Sequence, residues 1–298
     1  MLSWYNKNKD QLTGYLFILP NMLGLICLTI IPIAFSAYLS FTEWNFLGGF
    51  KALKWIGLDN YRAMFEDEWF LRSFRNNIIY VAVTVPLIMV LALPIALVLN
   101  SKVYLKNLIR MMIFMPYVSS AVIIAVVWGL LYRPSEGLIN SFLRDLGMVN
   151  PPGWVASTTW ALPAVIIIGV WGLIGYTMIL YLAGLQGIPK DLYEASDVDG
   201  ANSMQKLLYI TIPMLRPTTF FIMITLIITT FQVFGTIFML TQGGPAGSTS
   251  MIAYYIYITA FNFYKFGYSS AMSWFLFLML FLVTLVQWRQ QKKWANDF

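Results

Sequence analysis

Glu194-Ala195-Ser196-Asp197-Val198-Asp199-Gly200-Ala201, followed by Ile210-Thr211-Ile212-Pro213 and then Pro217, forms a polar, turn-rich island between two long hydrophobic runs. With Asp191 it holds four of the chain's 13 acidic residues. The flanking runs, 161–185 and 218–240, contain no Asp, Glu, Lys or Arg, and four more runs share that property: 15–41, 78–99, 111–131 and 271–287. A membrane-spanning helix needs about 20 mainly apolar residues, each rising about 1.5 Å through a hydrocarbon core about 30 Å thick. Each run is long enough to be read as one span, whereas barrel strands are only about 9–11 residues long and alternate with a period of two. The expectation is therefore an all-α integral membrane protein of six transmembrane helices.

Composition agrees, with 59% hydrophobic residues, 11% charged residues and a mean hydropathy of +0.70, outside the range of a soluble domain with a polar surface. The first run is too long for a signal-peptide core and no small-residue cleavage site follows it, so it reads as a retained span. Basic residues set the orientation. Placing both termini inside puts Lys7, Lys9, Lys102, Lys106, Arg110, Lys190, Lys206, Arg216, Arg289, Lys292 and Lys293 on the inner side. The outer side then holds Lys51, Lys54, Arg62, Arg72, Arg75, Arg133, Arg144 and Lys265, thinly spread over longer loops rich in acids. This division gives a cytoplasmic N-terminus at 1–14, a six-helix domain at 15–287 and a cytoplasmic C-terminus at 288–298. The net charge of +6 is inner-side bias of this kind and points to no nucleic-acid partner.

What is missing narrows the chemistry. The chain has no histidine, its spans carry no Asp, Glu, Lys or Arg, and its single cysteine, Cys27, lies in the first run. Ion-coupled carriers, voltage sensors and intramembrane metalloenzymes need such groups at membrane depth. No lysine is followed by Ser or Thr, so there is no phosphate-binding loop and no ATP hydrolysis by that route. A His-based triad is impossible, and Ser119-Ser120 has no nearby base. No metal site and no catalytic residue is assigned.

The spans offer neutral hydrogen-bonding and stacking groups instead: Trp171, Tyr176 and Tyr181 in the fourth, Thr229, Thr230, Gln232 and Thr236 in the fifth, and Ser269 to Ser273 entering the sixth. Such groups suit a neutral polar solute, and a sugar above all, since its hydroxyls bond and its C–H face stacks on rings. They also suit helix packing and the membrane interface. Gly169, Gly172 and Gly175 either let helices approach or leave space beside the backbone. Pro86, Pro94 and Pro116 predict kinks. In the outer loop 42–77, the spacing of Leu58, Tyr61, Phe65, Trp69 and Phe74 predicts one amphipathic helix lying in the interface or meeting an external partner.

Within the island, Asp191 followed by Glu194 predicts an N-capped helix, Gly200 its end, and Asn202 or Ser203 the cap of a second helix. Pro213 and Pro217 punctuate the entry to the fifth span. The result is a helix-turn-helix knob showing Glu194, Asp197 and Asp199 beside Leu192, Tyr193, Ala195, Val198 and Ala201, suited to docking on a cytoplasmic protein.

The spacing of Glu194-Ala195, Asp199-Gly200-Ala201, Ile210, Pro213 and Pro217 resembles the EAA loop of permease subunits from binding-protein-dependent ABC importers. It departs at Ser196, where Ala is usual, at Leu207, where Phe is common, and at Ile212, where Leu is common. Ile56-Gly57-Leu58-Asp59-Asn60-Tyr61, Asn76-Asn77, Arg110 with Met115-Pro116, Trp128, Gly137 to Asn140, Leu182 to Gln186, Leu240 to Pro245 and Gly267 to Ala271 extend the likeness over most of the chain. They point to the carbohydrate branch, with permeases for maltose, raffinose, multiple sugars and glycerol phosphate.

The resemblance implies a type I ABC importer permease fold and a loop, 188–217, whose coupling helices sit in a groove of the ATPase. Asp191, Glu194, Ala195, Ser196, Asp197, Asp199, Gly200 and Ala201 would form that contact. Alignment with the maltose permease implies substrate contact at Tyr176 and at the positions of Gly169, Gly172, Leu173, Thr230 and Val233, to which Trp171 and Gln232 are added from position and chemistry. The implied partners are a second permease, two ATPase copies that use ATP and Mg, an extracytoplasmic sugar-binding protein, the sugar and the bilayer of a bacterial or archaeal cell membrane. The chain itself would bind no cofactor and would not be an enzyme. A stand-alone facilitator for a neutral solute and a structural membrane scaffold are the rival readings.

Overall fold

The computed structural model describes the backbone of residues 2–101 and 103–295 and the side chains of residues 13–101 and 103–289. Lys7, Lys9, Lys102, Lys292 and Lys293, which enter the charge-bias argument, lie outside the described side chains. The chain divides into two compact units, one of residues up to Glu66 with Ile256–Phe275, the other of Asp67–Tyr255 with the residues from Leu276 onward.

The first unit begins with α1 (Leu2–Leu25), which passes through a π-turn at Ile26–Ile30 into α2 (Ile31–Leu39). Its membrane-length portion, Thr13–Leu39, buries none of its most apolar window within the chain. A short antiparallel hairpin follows, β1 (Thr42–Glu43) with β2 (Lys54–Trp55), pairing Thr42 with Trp55. The helix α3 (Asp59–Glu66) holds the turn after α2 in place, because buried Asn60 donates Nδ2 to the carbonyls of Ser40 at 3.0 Å and Thr42 at 2.8 Å. Tyr61 adds a hydroxyl bond to Ser40 Oγ at 2.9 Å. Trp44 stacks on Phe50, and Trp274 donates Nε1 to Ser36 Oγ at 3.1 Å.

The second unit is built on α4 (Glu68–Asn100), whose first turn is capped by Asp67 Oδ1 accepting from the Trp69 and Phe70 amides. Its buried side chains Val81, Val85, Ile88, Ala92, Ala96 and Leu99 recur at three- and four-residue intervals, the spacing of one helix face. That face packs on α8 (Ala161–Gln186). Glycines on α8 set the distance: a β-carbon at Gly169 would collide with the Tyr80 hydroxyl, and one at Gly175 with the Ile113 carbonyl. Ile113 belongs to α5 (Lys106–Val118), which continues into α6 (Ala121–Leu131) and, beyond a turn, α7 (Leu138–Asp145). After α8 come α9 (Lys190–Val198), α10 (Ser203–Lys206), a π-turn at Leu207–Thr211 and α11 (Ile212–Met214). The helix α12 (Arg216–Phe231) then packs on α4 and α8. The last two helices, α13 (Ile252–Phe261) and α14 (Phe266–Ala295), run through both units.

Among the described residues four continuous helices are long and apolar enough to span a membrane, namely Thr13–Leu39, Glu68–Asn100, Ala161–Gln186 and Phe266–Arg289, and counting each of two bent pairs as one span gives six. The kink expected at Pro116 is a break of 99° just beyond it, whereas those expected at Pro86 and Pro94 do not interrupt the helix. The run 111–131 breaks at Ser119–Ser120, where α5 and α6 meet at 99°. Both serines sit in extended backbone: Ser119 donates Oγ to the Met115 carbonyl, and Ser120 Oγ accepts from the Val122 amide, so the hydroxyls satisfy groups that a straight helix would pair internally. The run 218–240 is helical to Phe231, opens over 232–234, and resumes at Gly235 before a π-turn at Ile237–Thr241. Conversely, α4 stays a single helix through Pro86 and Pro94. The predicted amphipathic helix of loop 42–77 is two elements, α3 and the first turns of α4, separated by Asp67 acting as a cap.

Candidate functional site

The 188–217 loop is a helix-turn-helix. Gly200 adopts the left-handed φ of 75° that closes α9, and the amides of Gly200 and Ala201 reach back to the carbonyls of Asp197 and Ser196. Asn202 then caps α10 reciprocally with Gln205: Oδ1 accepts from the Gln205 amide at 2.9 Å, while Gln205 Oε1 accepts from the Asn202 amide at 2.8 Å. Two further contacts hold the pair together, the Lys206–Asp197 ion pair and the Tyr193 hydroxyl on Thr211 Oγ1 at 2.9 Å. One expectation changes: Pro189 occupies the N-cap, so Asp191 lies in the first turn, where its charge favours the helix N-terminus. Pro213 in α11 and Pro217 at the start of α12 bracket the 62° bend at Leu215, at the entry to the fifth span.

Asp191, Glu194, Ala195, Asp197, Asp199 and Gly200 are exposed and Ala201 is half-buried. Ser196 points inward, buried, with its hydroxyl on the Tyr193 carbonyl at 2.7 Å. Asp199, Gly200 and Ala201 join Gln205, Lys206, Tyr209 and Ile210 around an open cavity of about 310 Å³. Val198 at 89% and Tyr209 at 77% exposure place large apolar groups beside the acids. The capped helix pair thus presents exposed acids and large apolar groups on one surface.

Around α8 the pathway candidates separate by environment. A β-carbon at Gly172 would meet nothing within 4 Å, unlike those at Gly169 and Gly175. Open space therefore borders the helix at Gly172, and the neighbouring glycines are packing positions. Trp171 beside it is exposed, and Leu173 and Tyr176 are half-buried. Tyr176 stacks on Tyr117 of α5, ring centres 4.6 Å apart and planes at 16°. Trp171 meets Trp128 of α6 edge to face at 5.5 Å. The series continues through Tyr132 to Trp154, whose Nε1 donates to Asn140 Oδ1. On the fifth run Gln232 is exposed and Val233 half-buried, at the break after Phe231. Thr230 is buried at 1% exposure and its hydroxyl bonds the Leu226 carbonyl at 2.6 Å, so it serves its own helix.

Sequence reasoning did not place Tyr117 at the site. The signal available was an aromatic next to Pro116 and the Ser119-Ser120 caps, at the end of a helix fragment. Its stacking partner on α8, three helices further along the chain, is a tertiary fact.

Residues 63–294 match the family described as binding-protein-dependent transport system inner membrane component. The chain belongs to this family. As a permease it is similar to "Probable ABC transporter permease protein YesP" of Bacillus subtilis (strain 168), at 36% identity over 97% of this chain and 93% of the relative. It is also similar to "Lactose transport system permease protein LacF" of Rhizobium radiobacter, at 34% identity over 94% of both chains. Among solved structures, a permease-fold chain from "a bacterial ABC transporter involved in the import of the acidic polysaccharide alginate" superposes with a TM-score of 0.81, at 23% identity over 98% of this chain and 99% of that one. The permease thus has the type I ABC importer fold, with α5 and α12 packed on α8.

Proposed function

We propose that this permease forms, with a second permease, the membrane pathway of a carbohydrate importer, and that its 188–217 loop couples the pathway to two ATPase copies. The observation that carries the reading is the open space at Gly172, on the helix that also carries Trp171 and the Tyr176 ring stacked on Tyr117, among apolar runs without Asp, Glu, Lys or Arg. Aromatic faces and neutral donors near open space fit sugar rings. The similarity to a lactose permease supports the same substrate class. Trp171, Gly172, Leu173, Tyr176, Gln232 and Val233 border the pathway in this reading, and Thr230 shapes it from within α12.

Both termini, 1–14 and 288–298, face the cytoplasm of a bacterial or archaeal cell, and the permease domain is 15–287. An extracytoplasmic binding protein delivers sugar to the opposite side. ATP and Mg are used by the ATPase copies, which receive Glu194, Ala195, Asp199 and Gly200 in a groove. Their closure moves the capped helix pair as one body, and the movement enters α12 through the bend at Leu215.

Reconstitution in vesicles tests this, with labelled lactose and maltose as probes. Uptake is expected only when second permease, ATPases, binding protein and ATP are all present. Sugar equilibrating through this chain alone would establish a facilitator instead. In the full complex, Glu194→Lys is expected to cut uptake about tenfold by opposing the acidic docking surface. Normal assembly and uptake in that variant would contradict the coupling role.

A further inference from the structure

The break in the fifth span has a clamp on another helix. In the last turn of α12 the carbonyls of Ile228 and Thr230 accept from the amides of Gln232 and Val233, which close the helix. The carbonyl of Phe231 accepts a long hydrogen bond from Asn77 Nδ2 at 3.4 Å. The same side chain offers Oδ1 to the backbone amide of Ile252 at 3.1 Å, the first residue of α13. Asn77 is completely buried on α4, a span that stays one α-helix through Pro86 and Pro94. A primary amide carries a donor and an acceptor side by side, which is what capping one helix end and opening another requires.

The neighbouring polar side chains of α4 do different work. Asn76 Nδ2 holds the carbonyls of Gly247 at 2.9 Å and Ser250 at 3.0 Å, Ser73 Oγ bonds Ser250 Oγ at 2.7 Å, and Arg72 reaches the Ala246 carbonyl at 2.8 Å. These three tie down the 242–251 loop. Only Asn77 among them reaches back to the break itself.

We infer that Asn77 is a positioning residue for transport, which fixes where the fifth span breaks, and so where Gln232 and Val233 stand, by joining Phe231 to Ile252. The inference rests on the pathway reading above. At membrane depth an unpartnered carbonyl must find a donor within the protein, and the nearest solution is to continue the helix. Without Asn77, the Phe231 carbonyl would take the amide four residues on, at Gly235. Winding that turn would rotate Gln232 and Val233 away from their present placing.

The test uses the complete complex with Cys27→Ser and a Val233→Cys reporter, labelled with a water-soluble maleimide. Asn77→Leu, close in size and without either polar group, is expected to assemble and to change the labelling rate about fivefold or more. Without the reporter, the same substitution should lower lactose or maltose uptake about tenfold while ATP hydrolysis stays near wild type. Asn76→Leu, which loosens only the loop, should leave Val233→Cys labelling within about twofold. If Asn77→Leu does not assemble, Asn77→Ala is read by the same measurements. Unchanged labelling and uptake would overturn the inference, as would losses that merely track lost assembly and are shared by Asn76→Leu. If the wild-type complex takes up neither sugar, the pathway reading fails separately, and the labelling comparison still decides the role of Asn77.

Discussion

α4 and the fifth apolar run have similar hydrophobicity and opposite mechanics. α4 contains Pro86 and Pro94 and is one helix of 33 residues. The fifth run contains no proline between Thr218 and Leu240, and it breaks after Phe231. Proline alone therefore does not decide where this protein bends: Pro116 precedes the 99° bend and Pro213 and Pro217 bracket the 62° one, while α4 stays continuous through two prolines. The breaks at Ser119–Ser120 and after Phe231 have polar side chains at hand for the freed backbone groups, Ser119 and Ser120 in one and Asn77 opposite the other. The comparison divides labour: α4 is the rigid post that carries the clamps, and the broken spans present side chains beside α8.

Close approach and open space on α8 give the largest expected contrast. Gly175→Leu would drive a side chain into the Ile113 carbonyl of α5, a backbone atom that cannot move aside. Overpacking of this kind costs about 1–3 kcal/mol or more, and the complex should fail to assemble as judged by size-exclusion chromatography after co-purification. Gly172→Trp, three residues away, should assemble normally, because the space there is free. It should instead reduce uptake about tenfold by filling the pathway, with ATP hydrolysis retained, in a vesicle assay. Equal effects from the two substitutions would erase the distinction between packing and pathway glycines.

Much of this was readable from the chain alone. The run 161–185 is α8 to within a residue, and Gly200 and Asn202 act as the turn and cap their chemistry requires. Local signals of this kind depend only on neighbours in sequence. The breaks were hidden because hydropathy averages over a window and two serines, or one glutamine, hardly change it. Asp191 lost the N-cap to Pro189, whose extended backbone already ends the preceding turn. The hairpin β1–β2 has strands of two residues each, too short for alternation to register. Tyr117 and Asn77 matter through partners far away in sequence, Tyr176, Phe231 and Ile252, which no local pattern could supply.

Two smaller effects sharpen the contrast between rigid and hinged parts. Asn202→Ala removes the reciprocal cap of α10 and should cost that helix about 1 kcal/mol. A looser knob transmits less, so uptake per ATP hydrolysed should fall about threefold, measured in the same vesicles. Pro86→Ala restores a backbone donor to a helix that is already continuous, so uptake should stay within about twofold of wild type. A large loss there would mean that α4 bends during transport and is no rigid post.

The central claim is that sugar passes beside Gly172, on the helix that carries Trp171 and the Tyr176 ring stacked on Tyr117. It is tested most directly in the Cys27→Ser background with single cysteines at Gly172 and at Val90, an exposed position on α4. In the assembled complex a water-soluble maleimide should label the cysteine at 172, bound lactose or maltose should slow that labelling about tenfold, and the cysteine at 90 should remain unlabelled in lipid. Labelling at 172 that is absent, or that the transported sugar leaves unchanged, would contradict the account.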